Sequence, residues 1–152
     1  MPPPLDIEAS ARRAGAHRWA EQRLFEMLGR WSAQLGDDEA AVLVGTHSRL
    51  HGAHVELWRT CLPTLPHLDP DSVTVAPSPE LAAVFDLVEA GGGDDGDGGP
   101  AGAIDPADPA GPADPEDYRT IERLVGVYRV LLPRLVAAYG RRRAEASPVC
   151  DG

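Results

Sequence analysis

The sequence has few cysteines, few aromatic residues and little of the alternating β-branched pattern that strands show. Two cysteines, Cys61 and Cys150, are too few for a disulfide framework, so the fold must depend on a hydrophobic core. We interpret Cys61 as a small reduced residue on the apolar arc of its helix. Alternation of strand type is confined to residues 72–75, and aromatic content is 5%. These features favour an all-α protein.

Basic residues are also scarce, because 14 Lys and Arg stand against 24 Asp and Glu, for a net charge of −10. Nucleic acid is therefore excluded as the main partner, since phosphate binding needs a basic surface. No apolar run approaches the roughly 20 residues of a membrane span, and the first residues, MPPPLDIEAS, do not resemble a signal peptide. We expect a soluble, cytoplasmic protein without a membrane partner.

The helical pattern predicts a single domain over residues 1–152, built as an antiparallel four-helix bundle. Apolar periodicity and capping residues place helices at about 6–35, 37–62, 78–90 and 115–144. The short connection at Gly36-Asp37-Asp38 makes the first two helices antiparallel neighbours. A proline-rich crossover, 63–77, should contain no long element. The Gly/Asp/Pro segment 91–114 is predicted to be a long disordered loop, because it carries too little apolar surface to fold.

The second helix carries three histidines, His47, His51 and His54, at spacings of four and three. On a helix these rings fall within about 60° of one another. The same arc holds apolar residues, which predicts that the histidines face the core; these residues are Leu43, Leu50, Trp58 and Cys61. Buried imidazoles need hydrogen-bonding or metal partners, so this row directs the search for function.

The first helix offers matching groups on its predicted inward face, His17 and Glu21, whereas Glu26 points to solvent. Imidazole and carboxylate are ligands for iron, manganese and zinc, and facing helices of a bundle commonly supply them. The predicted metal ligands are therefore Glu21, His47, His51 and His54. Glu21 with His51 and one flanking histidine is the preferred set. His17 and Tyr128 are predicted to hydrogen-bond the ligands.

Two stretches resemble ferritin-like proteins, in particular ferritin-like proteins of high-GC bacteria. These are HRWAEQRLFEMLGRW with HSRLHGAHVELWRTCLPTLP, and IERLVGVYRVLLPRLVAAY in the last helix. The resemblance places Glu21 at the position of the first-helix ligand and His51 at that of the second-helix histidine. Ser48 stands three residues before His51, where the family pattern has glutamate, and no second such pair follows. The resemblance therefore implies an incomplete di-iron motif, and it suggests oxygen-dependent oxidation if the protein is an enzyme.

Three functional hypotheses follow from these residues. The leading one is a ferritin-like bundle protein with a degenerate, histidine-rich inter-helix site for one transition metal. The alternative is a non-catalytic binding or dimerisation module whose histidines form a structural seam. A third is a small-molecule pocket lined by Trp31, Trp58 and the histidines. The motifs of common enzyme classes are absent, so the sequence names no catalytic residue. The last residues, 147–152, resemble the approach to another helix, and a homodimer could complete such a bundle.

Overall fold

The computed structural model describes residues 6–90 and 115–145, with side chains described over 6–90 and 120–140. Over these ranges the chain is helical and has no strand, apart from one isolated bridge between Leu65 and Leu68. The all-α prediction is therefore confirmed. The chain divides into two compact units, Met1–Ala83 and Val84–Gly152. The predicted disordered loop, 91–114, lies outside the described residues.

The first unit begins with two long helices, α1 (Ile7–Ser32) and α2 (Asp38–Thr60). Aspartate side chains cap both helices, as the sequence predicts. Asp6 Oδ1 accepts from the backbone N–H of Ala9, and Asp37 Oδ1 accepts from that of Ala40, each at 2.7 Å. Each cap satisfies an amide that has no partner within the helix, so both helices start where these residues stand.

Helix α1 packs along α2 and also contacts the crossover that follows α2. Most of its inward face is apolar and closely packed, including Leu24 and Leu28, which are fully buried. Gly52 of α2 lies under the Phe25 ring: an added Cβ would be 3.1 Å from Phe25 Cδ2. Small residues thus let the two helices approach closely. The buried residues of α1 include two polar ones, His17 and Glu21.

The crossover contains a single helical turn, α3 (Pro70–Val73), capped by Asp69. Its backbone lies directly against α1 at Gly15, where an added Cβ would overlap the carbonyl group of Val73. One turn further along α1, Arg18 Nη1 donates to Asp71 Oδ1 and to Thr74 Oγ1, each at 2.9 Å. The crossover is therefore attached to α1 by contact and by hydrogen bonds.

Helix α4 (Pro79–Ala90) begins at the predicted capping sequence and runs from the first unit into the second. The backbone N–H of Leu81 donates to Ser78 Oγ at 3.3 Å. Two hydrogen bonds lower the pKa of the Glu80 carboxyl below its ordinary value. The larger effect comes from the Glu80 backbone and the smaller from the Ser78 side chain. An ionised acid in the first turn is favourable because the amide dipoles point toward it.

The last helical stretch consists of α5 (Pro115–Val125), a π-helical segment (Gly126–Leu131) and α6 (Leu132–Glu145). The Leu132 N–H donates to the Val127 carbonyl, five residues back. Pro133 has no N–H and its ring displaces the preceding turn, so a widened turn directly before it relieves the clash. The sequence analysis predicts a continuous helix here and does not predict the π-helical turn.

The prediction for the buried face of α2 is partly wrong. Leu43 and Leu50 are exposed by 54% and 53%, and Cys61 is also exposed, as a free thiol at the end of the helix. The buried positions are Val44 and Ser48 instead. Apolar residues surround much of this helix, so periodicity alone does not show which side contacts α1. No helix within the described ranges is long and apolar enough to cross a bilayer.

Candidate metal centre

Three of the four predicted metal ligands meet between α1 and α2. Glu21 comes from the middle of α1, and His51 and His54 come from adjacent turns of α2. One possible ligand atom from each residue lies within 4.8 Å of the other two. Because residues three apart on a helix face the same side, the spacing of His51 and His54 brings both rings to one carboxylate.

The geometry centres on a single carboxylate oxygen. Glu21 Oε2 lies 2.6 Å from His51 Nδ1 and 3.2 Å from His54 Nδ1. The Glu21 side chain is 3% exposed, that of His51 is 12% exposed, and that of His54 is 51% exposed. The two imidazole rings stand nearly perpendicular, with centroids 6.0 Å apart. The cluster is therefore closed on the α1 side and open to solvent at His54.

The protonation of the cluster follows from the acceptor. When Glu21 is ionised it only accepts hydrogen bonds, so each ring then donates to it through Nδ1–H. A cation bound to the same three atoms would replace both Nδ1 protons, which would leave the protein or move to Nε2. The cluster can thus exist as a hydrogen-bonded triad or as a set of three ligands.

The distances fit a metal after a small movement. Ligands about 2.1 Å from one ion stand about 3.0–3.4 Å apart in octahedral or tetrahedral geometry. The 3.2 Å separation of Glu21 and His54 already lies in this range, while the 2.6 Å separation of Glu21 and His51 is shorter. To bind one ion, the Glu21–His51 contact would open by about half an ångström and the two imidazoles would move closer together within the 4.8 Å span of the group, which side-chain torsions can supply.

The other predicted site residues occupy different places. His47 is half-buried on α2 and does not belong to the three-residue cluster. His17 is buried on α1 and stacks on Trp58, with ring centroids 4.5 Å apart. A further histidine, His67, is exposed in the crossover, 3.6 Å from Glu8, and is not part of the cluster. Tyr128 belongs to the second unit, so its role as a partner of the ligands stays a prediction.

Ser48 is a contributor that sequence reasoning passed over. Its hydroxyl donates to the Phe25 carbonyl oxygen at 2.8 Å, and its side chain is buried. It lies one turn before His51 and ties α2 to α1 next to the cluster. Its position three residues before His51 was noted in the sequence only as a missing glutamate. The direct link to the α1 backbone depends on tertiary contact, which spacing does not show.

Tyr128 should titrate above an ordinary tyrosine. Burial raises the pKa of its phenol, because the charged phenolate is less well solvated. The neutral form is therefore favoured in the folded protein, and stability should fall as pH rises above about 10 and through the raised pKa. An absorbance titration of Tyr128→Phe should lack a phenol that ionises above the ordinary tyrosine pKa of about 10. Loss of a phenol that ionises at the ordinary pKa would contradict this prediction.

Comparison with known proteins adds no assignment. No family model, curated protein or solved structure matches the chain. The function is therefore inferred from the geometry of the Glu21, His51 and His54 cluster.

Proposed function

We propose that the protein binds one divalent transition metal ion between α1 and α2 through Glu21, His51 and His54. The observation that carries this proposal is the convergence of the three ligand atoms within 4.8 Å around a buried carboxylate. Two imidazoles and one carboxylate form a ligand set used for zinc and for non-haem iron, and manganese also accepts these donors.

The burial of Glu21 supports a cation at this place. A carboxylate removed from water is costly unless opposite charge or several hydrogen bonds compensate it. The hydrogen bond from His54 is long, at 3.2 Å, and its ring is half in solvent. A divalent ion would place an opposite charge directly beside this carboxylate, and it would hold the His54 ring in place.

Three protein ligands leave coordination positions for water or a small molecule. A metal with open positions can polarise a bound substrate or lower the pKa of bound water. In a single copy of the chain, the exposed side of His54 is where such a molecule would enter, because Glu21 and most of His51 are covered. The residues here would hold and orient the ion, and no second acid belongs to the metal-ligating group among the described residues.

The ferritin-like, four-helix arrangement is also part of this proposal. It is supported by the lengths of α1 and α2 and by a carboxylate and a histidine at the positions that the resemblance implies. Among the described side chains, the one metal-ligating group of three is this cluster. A mononuclear site therefore accounts for the available ligands better than a complete di-iron centre. The cytoplasmic location stays a prediction.

Metal analysis of the full chain tests the proposal. Protein purified without a histidine tag, stripped with chelator and reloaded separately with zinc, ferrous iron or manganese should retain about one equivalent of at least one metal after desalting. At a free metal concentration of about 100 times Kd, the unfolding free energy should rise by about 2.7 kcal/mol. Thermal denaturation with and without metal measures this increase.

Matched histidine variants assign the ion to this site. His51→Leu should lose the bound metal, whereas His67→Leu should keep it, because His67 lies in the exposed crossover away from the cluster. Less than about 0.1 equivalent in the wild-type protein with all three metals would contradict the proposal. Equal metal content in the two variants would place the ion elsewhere.

A metal-free structural seam is the second candidate function, and the 2.6 Å contact favours it. His51 and Glu21 form a short, charge-assisted hydrogen bond that joins the two helices directly. In this case α1 and α2 form a helical binding module, and the polar cluster fixes their register. The metal analysis above separates the two functions, since the seam would bind no ion tightly.

A further inference from the structure

Helix α2 has a second apolar face on the side away from α1. It consists of six residues with alternating spacings of three and four, here called the leucine face: Leu43, Thr46, Leu50, Ala53, Leu57 and Thr60. Viewed down the axis of α2, the leucine face is rotated by about 150° from the side that contacts α1. The three leucines are exposed by 54%, 53% and 59% in sequence order. Leucines spaced seven apart are typical of a helix–helix seam.

The polar groups on the leucine face are already satisfied. Thr46 Oγ1 donates to the Val42 carbonyl, and Thr60 Oγ1 donates to the Leu57 carbonyl, each at 2.7 Å. These two threonines therefore make their hydroxyl hydrogen bonds within their own helix. Covering the face would leave no unsatisfied hydroxyl donor, so little desolvation cost opposes its burial.

We propose that the leucine face binds the same face of a second copy of this chain, with the two α2 helices antiparallel. In the register where residue numbers in opposing positions sum to 103, each leucine meets a small residue. Leu50 lies opposite Ala53 of the second copy, and the outer leucines lie opposite its threonines. Large residues opposite small ones allow two helices to interdigitate. A two-fold interface must be complementary to itself in this way.

The charges beside the leucine face agree with the same register. Arg49 and Glu56 follow one edge of the face, seven residues apart. In the antiparallel pair, residue 54 of one copy lies opposite Arg49 of the other. Glu56 is two residues further along, so the axial offset between Arg49 and the partner's Glu56 is about 3 Å. Both side chains are on the surface, where Arg49 is 3.4 Å from Thr46 and Glu56 is 2.8 Å from Arg59. Two opposite-charge pairs per dimer thus favour this orientation over a parallel one.

The other edge of the leucine face carries His47 and His54. The same symmetry turns this edge toward its counterpart, so the second copy would cover the exposed side of His54. In this register residue 49 of the second copy lies opposite His54, so His47 of the second copy lies two residues along its helix from that position. This consequence depends on the proposed metal site, whereas the interface itself requires no metal.

The association state of the full-length protein, measured in chelator by sedimentation equilibrium, tests the interface. The wild-type chain should be a dimer, and Leu50→Glu should raise the dissociation constant at least about 100-fold while leaving circular dichroism unchanged. The control is Val75→Glu, which places the same charge at a residue exposed by 54% outside α2 and should remain dimeric. A monomeric wild-type chain, or a dimer unaffected by Leu50→Glu, would overturn the proposal.

A charge exchange tests the antiparallel register. Arg49→Glu and Glu56→Arg should each weaken the dimer by about 10-fold, and the double variant should recover to within about threefold of wild type. Failure of the double variant to recover would overturn the register. These measurements use metal-free protein, so a negative result would not contradict the proposed metal site. Metal analysis of the Leu50→Glu monomer tests that site by itself.

Discussion

Replacing Glu21 with alanine should lower the free energy of unfolding by about 3 to 5 kcal/mol, even with metal removed. The side chain is 3% exposed and accepts hydrogen bonds from His51 and His54. Its removal leaves two imidazole donors without their acceptor and a void between α1 and α2. Urea denaturation in chelator measures the loss.

Two further variants separate charge from packing at this position. Glu26→Ala is the matched control, because Glu26 hydrogen-bonds Gln22 on the surface of the same helix, and its loss should cost less than about 0.5 kcal/mol. Glu21→Gln keeps the shape and can still hydrogen-bond both rings, so it should retain most of the stability. It should nevertheless bind metal at least about 100-fold more weakly, since the charged ligand is gone.

A double replacement completes the test of the Glu21–His51 contact. Glu21→Leu with His51→Leu removes both partners and fills the space with apolar atoms, which should recover much of the stability that Glu21→Ala loses. If Glu21→Ala costs no more than Glu26→Ala, the cluster contributes nothing to the helix pair. That result would leave the buried carboxylate without an energetic role.

The second large effect is expected at Gly15, where alanine should destabilise the protein by about 3 kcal/mol. The added Cβ would lie 2.5 Å from the Val73 carbonyl carbon and 3.2 Å from the Thr74 nitrogen. These obstacles are backbone atoms, so no side-chain rotation can relieve the overlap. Either α1 shifts or the crossover separates from it. Urea denaturation measures the change in the free energy of unfolding.

Gly140→Ala is the control for this substitution, because no described residue outside its own stretch of helix lies within 4 Å of the position its Cβ would take. In the exposed interior of α6, alanine should stabilise by about 0.5 to 1 kcal/mol, the opposite sign. Arg18→Met provides a second comparison, since Arg18 attaches the same crossover through Asp71 and Thr74. If Gly15→Ala releases the crossover, adding Arg18→Met should cost little more. A stability of Gly15→Ala equal to wild type would contradict the contact.

The starts of the helices could be predicted from sequence because their signals are local. Asp6, Asp37 and Ser78 accept hydrogen bonds from amides three residues ahead, and such residues have this role in most proteins. The inward direction of Glu21 also followed from the leucines and tryptophan on its own helix, since only one side of α1 is strongly apolar.

The orientation of α2 could not be predicted in the same way. Its leucines and its buried residues lie on different sides, so the pattern alone gives two candidate core faces. Val44 and Ser48 became the buried residues because α1 contacts that side, which is a property of the pair. Because this side of α2 faces α1, His54 lies at the edge of the contact and is half exposed rather than in the core. Contact between the Gly15 and Val73 backbones is likewise invisible to spacing, because it joins segments distant in sequence.

The π-helical turn before Pro133 has a consequence for side-chain alignment. Val127, Leu131 and Leu135 are all buried, although their spacing of four would rotate them steadily around a regular α-helix. In the π-helical segment each residue turns through a smaller angle, so Val127 and Leu131 stay on the same side of the helix. One additional residue in the turn thus serves as a phase correction. Removing it would restore a regular α-helical turn and leave the described side chains beyond it facing nearly the same way, because a widened turn holds five residues in about the rotation that four occupy in an α-helix.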